Sequence, residues 1–461
     1  MCNEIQPLTH QSDSAHLRRA PTRSEWRMLA TIAAAAMAAA CSDQPTSPPP
    51  APSVSAAPLA GHAAAQPLRY EIRDLQPDLD AAGFDGSFSS AFDISNAGRI
   101  AGAATVPGGY QHAFLWVNGT ATNVGTLGDD QLNSQAGGRA GSSELAILSE
   151  ITTEDPLAEN FCGFGTSLIC RAGVWRDGAM TTLPTLGGNN AAALGVNSQG
   201  QIVGVAEDGI LDNTCIPPQK SHFQAVFWER GTIHKLPPLP GDEVAMASRN
   251  NANGQVAGTS GLCSNTVYGG TGTGPHAVMW DHGTPTYLGN LGDPNVGFAA
   301  AINNQGDVFG AASYPDGTLH AFRWTRATGM QDLGVMSSDP ADAQNTPFQA
   351  NDRGQMVGAS CDAPFGSCRG YLWQNNAYTD LNTLIPADSK LYIVLPFGIN
   401  ESGQIAGMAV NTETGEPHAF LATPIHGAVS ASVVVAAQRA ASPPALPVNL
   451  RKMLLRSRGI R

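Results

Sequence analysis

The chain has 461 residues and a formal net charge of −13 at pH 7, with 51 Gly and 32 Pro but only 14% charged residues. This composition has too few helix-forming residues for a helical bundle, and its many turn formers favour an all-β protein. The acidic balance argues against nucleic acid as a partner, because an acidic surface and a phosphate backbone repel each other.

The first forty residues have the layout of an export signal. Four arginines between Arg18 and Arg27 precede an Ala-rich apolar run from Met28 to Ala40, and Cys41 follows directly. The run is too short to span a bilayer, and small residues before a cysteine resemble the cleavage box of bacterial lipoproteins. We therefore expect 1–40 to be a lipoprotein signal peptide and Cys41 to be lipidated as the only membrane attachment. Plain secretion is the alternative.

Both ends of the remaining chain differ in composition from its middle. Residues 41–69 are rich in Pro, Ala and Ser and have almost no large apolar side chains, so we expect a tether. Residues 425–461 contain no acidic residue and form a basic tail that we expect to be disordered or loosely docked. Its basic residues are Arg439, Arg451, Lys452, Arg456, Arg458 and Arg461.

Residues 70–424 repeat one pattern seven times. The regular pattern is an Asn-x-x-Gly turn, a short apolar strand, a variable loop, and a strand close to His-Ala-Phe-x-Trp, and most copies contain all four parts. The copies span 94–116, 134–175, 196–228, 251–280, 303–324, 351–373 and 399–422. The second copy, SQAGGRAGSS (134–143) with RAGVW (171–175), departs most from the pattern.

The tryptophans support this alignment. Outside the leader, all of them occupy the same repeat position: Trp116, Trp175, Trp228, Trp280, Trp324 and Trp373. The turn glycine provides the positive φ of a tight hairpin, and a fourth strand is expected in segments such as 181–188 and 330–336. Units of about 45 to 60 residues with four strands are typical of β-propeller blades.

The seventh copy ends at Pro424 without a fourth strand, and residues 70–75 resemble the missing strand. We predict an all-β, seven-bladed β-propeller of four-stranded antiparallel blades, closed by the N-terminal strand, which completes the last blade and removes an exposed edge. An open solenoid of stacked hairpins is the alternative, but it would leave residues 70–75 without a role.

The repeat resembles a known family. A His-Ala-Phe motif that is preceded by Asn-x-x-Gly-x-Ile/Val-x-Gly and followed by Leu-Gly-Gly or Leu-Gly-Asp is similar to the HAF-family extracellular repeat of bacterial secreted proteins, and it covers residues 70–424. The resemblance implies export and a repeat scaffold. It implies no settled activity and provides no catalytic residue.

Ligand binding is expected on one face of this scaffold. In a four-stranded meander, the loops between second and third strands emerge on the same side as the links between blades. We call this side the loop face and the opposite side, which carries the Asn-x-x-Gly turns, the turn face. Long loops at about 143–170, 207–223 and 260–275 make the loop face the better candidate.

Aromatic and acidic residues of the loop face are the candidate ligand-binding residues. Aromatic rings stack on sugars, and carboxylates bind sugars or Ca²⁺, the one cofactor considered. The candidates are Tyr110, Phe161, Phe164, Tyr268, Tyr314, Asp129, Asp242 and Asp293. For each of them, a loop-packing aromatic or a solvated turn carboxylate is the structural alternative.

Six cysteines lie in the loops. An even number in an exported chain predicts disulfides, although six cysteines allow 15 pairings. Position in the loops favours Cys162 with Cys170 and Cys361 with Cys368 inside single loops, and Cys215 with Cys263 between adjacent blades. No closely spaced Cys/His set predicts zinc.

Four histidines recur at one repeat position in separate blades, too far apart to share a metal ion. They are His112, His276, His320 and His418, and we expect each to make a structural hydrogen bond.

The sequence has no catalytic motif of a serine hydrolase, zinc protease or nucleotide-binding enzyme. We expect a monomeric propeller displayed at the cell surface, as an outer-membrane lipoprotein, that binds an extracellular glycan, peptide or protein without catalysis. An extracellular glycan lyase or hydrolase with acidic residues at the channel mouth, and a structural surface protein, are the alternatives. Paired carboxylates about 5 to 10 Å apart would favour the enzyme.

Overall fold

The computed structural model describes residues 68–138, 144–268, 273–363, 365–425, 443–448 and 451. They all belong to one unit of the chain, residues 65–461. The predicted signal peptide, Cys41 and nearly all of the predicted tether lie outside the described residues. Within the described ranges, no helix combines the length and apolar character needed to span a membrane.

Antiparallel sheets of four strands make up almost all of the described chain, which confirms the all-β class. We number the sheets 1 to 7 in chain order. Sheet 1 contains β2 (Ser89–Ile94), β3 (Ile100–Thr105), β4 (Gln111–Val117) and β5 (Thr120–Gly125). Sheet 2 contains β6 (Ser134–Ala136), β7 (Glu144–Glu154), β8 (Leu168–Arg176) and β9 (Ala179–Thr182). Sheet 3 contains β10 (Ala191–Val196), β11 (Ile202–Leu211), β12 (Ser221–Glu229) and β13 (Thr232–Lys235).

The second half of the chain continues the same plan. Sheet 4 contains β14 (Val244–Asn250), β15 (Val256–Gly261), β16 (His276–Asp281) and β17 (Thr284–Tyr287). Sheet 5 contains β18 (Gly297–Ile302), β19 (Val308–Ser313), β20 (Leu319–Thr325) and β21 (Gly329–Gly334). Sheet 6 contains β22 (Gln344–Ala350), β23 (Met356–Cys361), β24 (Cys368–Gln374) and β25 (Ala377–Asp380), and one parallel bridge, Leu319 to Gln344, joins it to sheet 5.

Sheet 7 combines both ends of the repeat region. It contains β26 (Leu391–Ile399), β27 (Ile405–Asn411) and β28 (Pro417–Pro424), with β1 (Tyr70–Asp74) antiparallel to β28. The predicted pairing of the N-terminal strand with the seventh repeat is therefore confirmed. Its register is also that of a fourth strand, since the third-strand Phe faces an equivalent residue in three sheets: Phe420 with Asp74, Phe322 with Asp332, and Phe114 with Asn123.

Short helices lie between sheets. Helix α1 (Gln76–Ala81) follows β1, and 3-10 turns occur at Pro340–Asp342 and Leu381–Thr383. No sequence pattern predicted α1. Its proline in the first turn and its buried Leu79 suit a helix that packs on sheet 1.

The second glycine of the repeat motif is explained by close backbone approach. The first strand of every sheet except sheet 2 carries a bulge, and the facing glycine of the second strand lies against the carbonyl of the first. A Cβ at Gly310 would lie 2.0 Å from Phe298 O, and one at Gly204 would lie 2.0 Å from Ala192 O. Any side chain there would have to displace backbone, so only glycine fits.

The asparagine of each Asn-x-x-Gly turn joins neighbouring sheets. Within its own turn, Asn351 Oδ1 accepts the N–H groups of Arg353 and Gln355. Its Nδ2 donates to the carbonyl of Asn400 in the next sheet, 3.0 Å away. The same inter-sheet bond recurs from Asn197 to Asn251, Asn251 to Asn303, Asn303 to Asn351, and Asn400 to Ser95.

The junction of sheet 7 with sheet 1 repeats contacts made at other junctions. Ala419 N donates to Ser89 Oγ, as Ala113 N donates to Ser134 Oγ between sheets 1 and 2. Trp116 Nε1 donates to Asp78 in the segment after β1, 2.7 Å away. The motif tryptophans of sheets 3 and 4 bond in the same way to the segments after the preceding fourth strands, Trp228 to Pro184 O and Trp280 to Pro237 O.

First-strand residues also bond across an intervening sheet. Gln349 of sheet 6 donates to Asp93 of sheet 1 at 3.2 Å, alongside Gly398 of sheet 7. Arg249 of sheet 4 donates to Leu194 O of sheet 3 at 2.8 Å. It also donates to the carbonyl of Gly137, which directly follows β6 of sheet 2, at 3.4 Å. At these two places, segments at or beside the first strands of non-adjacent sheets lie close together, and glycine leaves room for the longer side chains.

Two strand assignments from the sequence were wrong. In the second repeat, the second strand is β7, which lies beyond 134–143; the loop that follows it is therefore shorter than 143–170. Fourth strands begin earlier than predicted, because in sheets 1 to 4 and 6 a tight turn with positive φ at both central residues starts one residue after the tryptophan. In sheet 2, Asp177 and Gly178 make this turn and β9 ends at Thr182, so the Leu-Gly-Gly segments serve as links.

Candidate functional site

A polar donor occupies the same register position near the start of every third strand; six of the seven hydrogen-bond to an acidic or amide side chain, and Arg171 faces the charges of Glu207 and Asp155. The donors are His112, Arg171, Gln224, His276, His320, Arg369 and His418. In sheets 5 and 7 the fourth strand supplies the partner: His320 Nδ1 lies 2.9 Å from Asp332, and His418 Nδ1 lies 2.8 Å from Asp74. The expectation of one structural hydrogen bond per histidine is met at all four positions.

In sheet 4, the partner of the third-strand histidine does not come from the fourth strand. Its fourth-strand position holds Tyr287 instead of an acid or amide, and the carboxylate comes from Asp242 in the link from sheet 3. Asp242 Oδ2 lies 2.8 Å from His276 Nδ1 and accepts from Ser260 Oγ at 2.6 Å. The Tyr287 ring meets the His276 ring edge-on, with centroids 5.2 Å apart.

Sheet 5 presents a second tyrosine on the same kind of pair. Tyr314 stacks on His320 with centroids 4.3 Å apart and rings 9° from parallel, while Asp332 holds the other side of the imidazole. Tyr314 and Tyr287 remain 36% and 40% exposed, whereas most large apolar side chains of the described chain are buried. We call Tyr314, His320 and Asp332 the sheet 5 site, and Tyr287, His276 and Asp242 the sheet 4 site.

These sites have suitable chemistry for a polyhydroxylated ligand. An exposed phenol ring offers an apolar face to a sugar ring, and a carboxylate held by an imidazole offers an acceptor to hydroxyl groups. Asp332, with a side chain 37% exposed, is the more open of the two carboxylates, since that of Asp242 is only 7% exposed. The two sites thus differ in how much of the acceptor a ligand reaches.

Sequence patterns alone do not single out Tyr287. Its signal is its spacing from the motif tryptophan, which is the same from Trp280 to Tyr287 as from Trp116 to Asn123. That spacing becomes informative only when the strand register is known.

Several predicted ligand-binding aromatics are packed inside the loops. Phe161 is only 3% exposed and stacks on Tyr268 with centroids 4.1 Å apart. The prediction that Phe161 belongs to an exposed binding face is therefore wrong. Phe164 and Tyr268 pack against the cluster around the Cys215–Cys263 disulfide. Tyr110 packs against the core between α1 and sheet 1. Long loops need their own small core, which these rings provide.

Two of the three predicted acidic candidates stabilise turns. Asp129 Oδ1 accepts from Gln131 N at 2.7 Å, and Asp293 Oδ1 accepts from Asn295 N at 3.0 Å, so each stabilises its own loop. Asp242 belongs to the sheet 4 site. Of the eight candidates, only Tyr314 and Asp242 therefore lie in the sites described above.

The three disulfides of the structure are the predicted ones. Cys162 pairs with Cys170, Cys215 with Cys263, and Cys361 with Cys368. Such bridges are typical of an oxidising compartment outside the cytosol.

One group of potential metal ligands occurs among the described residues. Atoms of Asp212, His222 and Cys263 lie within 4.8 Å of one another. The Cys263 sulfur is bonded to Cys215, so Asp212 and His222 remain, and these two already bond to each other at 3.1 Å. This geometry offers a cation too few ligands.

A buried carboxylate cluster lies between sheets 2 and 3, and no sequence pattern predicts it. Glu159 and Glu207 are fully buried and share a hydrogen bond, and Asn190 Nδ2 donates to Asp155 at 2.6 Å and to Glu207 at 3.1 Å. Burial, together with the hydrogen bond and charge of Glu159, raises the pKa of Glu207 to about 9. Burial lowers the pKa of Arg171, which faces the negative charges of Glu207 and Asp155.

This cluster organises loops and does not have the geometry of a glycosidase. Glu159 Oε1 accepts from Ser221 N at 2.8 Å and from Lys220 N, so it ties the loop of sheet 2 to that of sheet 3. Glycosidase carboxylates stand apart with room for substrate or water between them. The two glutamates instead bond directly to each other out of reach of solvent.

No protein-family model matches the sequence, and a search of curated proteins gave no match either. Solved structures with a similar fold include TolB from Acinetobacter baumannii, with 12% identity and a TM-score of 0.36 over 75% of this chain and 66% of that one. The Pyrococcus horikoshii acylaminoacyl peptidase has 10% identity and a TM-score of 0.43 over 78% of this chain and 55% of that one.

An Aleuria aurantia lectin, solved as a mutant with Fucα1-6GlcNAc, has 10% identity and a TM-score of 0.32 over 65% of this chain and 96% of that one. The chain spans less than two thirds of the length of TolB and of the peptidase. At these identities and TM-scores, the likeness assigns no activity or ligand to this chain.

Proposed function

We propose that the protein is an exported, non-catalytic binding module built on a closed seven-bladed β-propeller, with sheets 1 to 7 as the blades. Two sets of contacts support closure. The N-terminal strand β1 has the register of a fourth strand in sheet 7, and the junction of sheet 7 with sheet 1 uses the Ala–Ser, Trp and Asn bonds of the other junctions.

The ligand class that the loop face fits best is an extracellular glycan. The observation that carries this proposal is the sheet 5 site, where an exposed tyrosine stacks on an imidazole whose Asp332 partner is also exposed. The sheet 4 site repeats the combination in a neighbouring repeat with a different geometry. Two sites on one face would add avidity toward a repeating polymer.

The export route belongs to the same proposal. We propose that the chain is a lipoprotein anchored through Cys41 and that its repeats are of the HAF extracellular type, with the tether between anchor and propeller. The three disulfides support an oxidising location. Incorporation of labelled fatty acid that a Cys41→Ser variant loses would test the anchor.

Glycan binding is tested by screening the purified protein on a glycan array and following hits by thermal shift, with Ca²⁺ and chelator arms. A ligand of the folded form raises the melting temperature. Tyr314→Ala should weaken the best hit about fivefold, because an aromatic contact contributes about 1 kcal/mol. Ile210→Ala removes another exposed apolar side chain and is the matched control. Binding that Tyr314→Ala leaves unchanged would contradict the proposed site.

A further inference from the structure

A short segment of the C-terminal tail is seated in a pocket beside sheets 6 and 7. Within residues 443–448, Leu446 is only 6% exposed, and its N–H donates to Gly366 O at 2.9 Å. Beyond it, Val448 is helical, and Arg451 N donates to Pro447 O. A tail that merely passed by would not bury a leucine and satisfy its backbone at the same point.

The pocket has an identifiable structural origin. The loop between Cys361 and Cys368 closes over Phe365, which is 3% exposed, and presents the Gly366 carbonyl. Tyr392 and Val410 of sheet 7 belong to the same apolar cluster as Leu446. The disulfide restricts this loop, so the carbonyl and the apolar wall are already in position before an occupant arrives.

The occupant is suited to docking. Its sequence is Pro-Pro-Ala-Leu-Pro-Val, from Pro443 to Val448, and prolines on both sides of Leu446 limit the conformations that docking has to remove. One apolar anchor with one backbone hydrogen bond, carried on a proline-restricted segment, is a common mode of peptide recognition.

The linking chain allows docking within one molecule. Ile425 N donates to Arg69 O beside the start of β1, at the turn-face end of β28, whereas Gly366 lies in a loop of the loop face. About 17 residues connect Ile425 with Pro443, and such a chain reaches at most about 60 Å when extended. This reach is enough to pass from one face of a sheet to the other.

We propose that this pocket is a peptide-binding site whose resident ligand is the chain's own segment 443–448, held in cis with Leu446 as its anchor. The tail is then an intramolecular competitor that keeps other leucine-containing, proline-flanked peptides out of the site. The pocket lies in sheets 6 and 7 and is distinct from the sites of sheets 4 and 5.

The test uses a fluorescent peptide of residues 442–451, SPPALPVNLR, titrated by anisotropy into the full chain. The Leu446→Asp chain, which loses its own anchor, should bind the peptide at least ten times more tightly than the unaltered chain, where the cis segment competes at high effective concentration. A peptide that carries the same Leu446→Asp change should not bind either protein.

The disulfide provides a matched control. Adding Cys361→Ser with Cys368→Ser to the Leu446→Asp chain should weaken peptide binding, because the Gly366 carbonyl is no longer fixed. Adding Cys162→Ser with Cys170→Ser, which opens the other short loop disulfide, should leave it unchanged. Equal weakening by both pairs would overturn the assignment to this pocket.

Two further readouts keep the proposal falsifiable if the Leu446→Asp chain does not fold. In the unaltered chain, the Leu446 amide should exchange with solvent more slowly than that of a free peptide, and exchange at the free rate would overturn docking. The unaltered chain should also be monomeric. A dimer that Leu446→Asp converts to monomer would overturn cis docking, because the occupant would then be a second copy.

Discussion

At the scale of single residues, the turn asparagines do more than the sequence suggests. The Asn-x-x-Gly spacing predicts a tight turn, and the structure confirms the positive φ of its glycines. The inter-sheet bond of Nδ2 has no local sequence signal, because it depends on the neighbouring sheet's position. One side chain therefore stabilises both a hairpin and a junction.

We expect Asn351→Asp to separate these two roles. Aspartate keeps the oxygen that accepts from the turn, but it replaces the donor to Asn400 O and Gln355 Oε1 with a second acceptor. Two lost bonds at a position only 1% exposed should lower the free energy of unfolding by about 2 to 4 kcal/mol. The midpoint of urea denaturation measures this loss.

The control is Asn411→Asp. Asn411 Oδ1 accepts from Glu413 N, so this variant also keeps its turn, but the residue is less buried and lies outside the inter-sheet series. Similar losses for both variants would show that aspartate is simply unfavourable in these turns and would remove the junction role.

Glu207 predicts how stability depends on pH. Its pKa is about 9 in the folded protein and near 4.5 in the unfolded chain, so between these values the folded state holds one more proton and loses stability as pH rises. The free energy of unfolding of Glu207→Gln, relative to that of the unaltered protein, should therefore rise from about pH 5 to pH 9. The increase should reach on the order of 2 kcal/mol. Thermal unfolding across this range measures the gain.

Glu150→Gln is the matched control, because Glu150 occupies the equivalent position in sheet 2 and bonds Asn133 in the way that Glu207 bonds Asn190. Glu150 bonds Thr166 where Glu207 bonds a second carboxylate, so this variant measures the same substitution without a neighbouring carboxylate. A constant difference between Glu207→Gln and the unaltered protein would contradict the shared proton.

At the scale of strands, the repeat pattern predicts most of the fold. The alignment placed the second and third strands of the regular copies, since the glycines and tryptophans mark both ends of each hairpin. It failed where those markers are missing. The second copy lacks the Asn-x-x-Gly turn. Most fourth strands are set by a two-residue turn shortly after Trp, such as Asp177-Gly178, and only the φ values show the importance of this turn.

The candidate site was less predictable than the fold. Loop length indicated the face on which the sheet 4 and sheet 5 sites lie, but residue type could not distinguish an exposed ring such as Tyr314 from a packed one such as Phe161. That distinction depends on which side chains a loop folds around, here the disulfide Cys215–Cys263. The buried Glu159–Glu207 pair could not be predicted from the sequence either, because the two glutamates are far apart in the chain.

Removal of β1 tests the importance of a single strand. A chain that starts at Gln76 loses the partner of β28, the buried Tyr70 and the Asp74–His418 bond. We expect a clear fall in melting temperature relative to a chain that starts at Leu68, because β28 is left with an unpaired edge.

A peptide of residues 68–75 should restore much of this loss when it is added in trans, since it re-forms the missing strand. The same peptide with Arg73→Pro should not, because proline there removes a backbone donor that faces β28. If the shortened chain melts like the longer one, β1 has no structural role.

At the scale of the whole molecule, the proposed ring explains features that local structure does not. First-strand residues bond across an intervening sheet, as Gln349 bonds Asp93. A common axis for the sheets would account for this bond, since sheets 6 and 1 would lie far apart in a linear array.

The most direct test of the closed ring is an engineered cross-link between the two ends of the repeat region. Glu71 lies opposite Thr423 in the β1–β28 register, so Glu71→Cys with Thr423→Cys places two cysteines on facing strands. Glu71→Cys with Thr414→Cys, in the hairpin at the far end of β28, is the control. Mass spectrometry under oxidising conditions should find the 71–423 disulfide within single chains and no 71–414 disulfide. Free thiols in the first variant, or cross-links formed only between chains, would contradict the closed propeller.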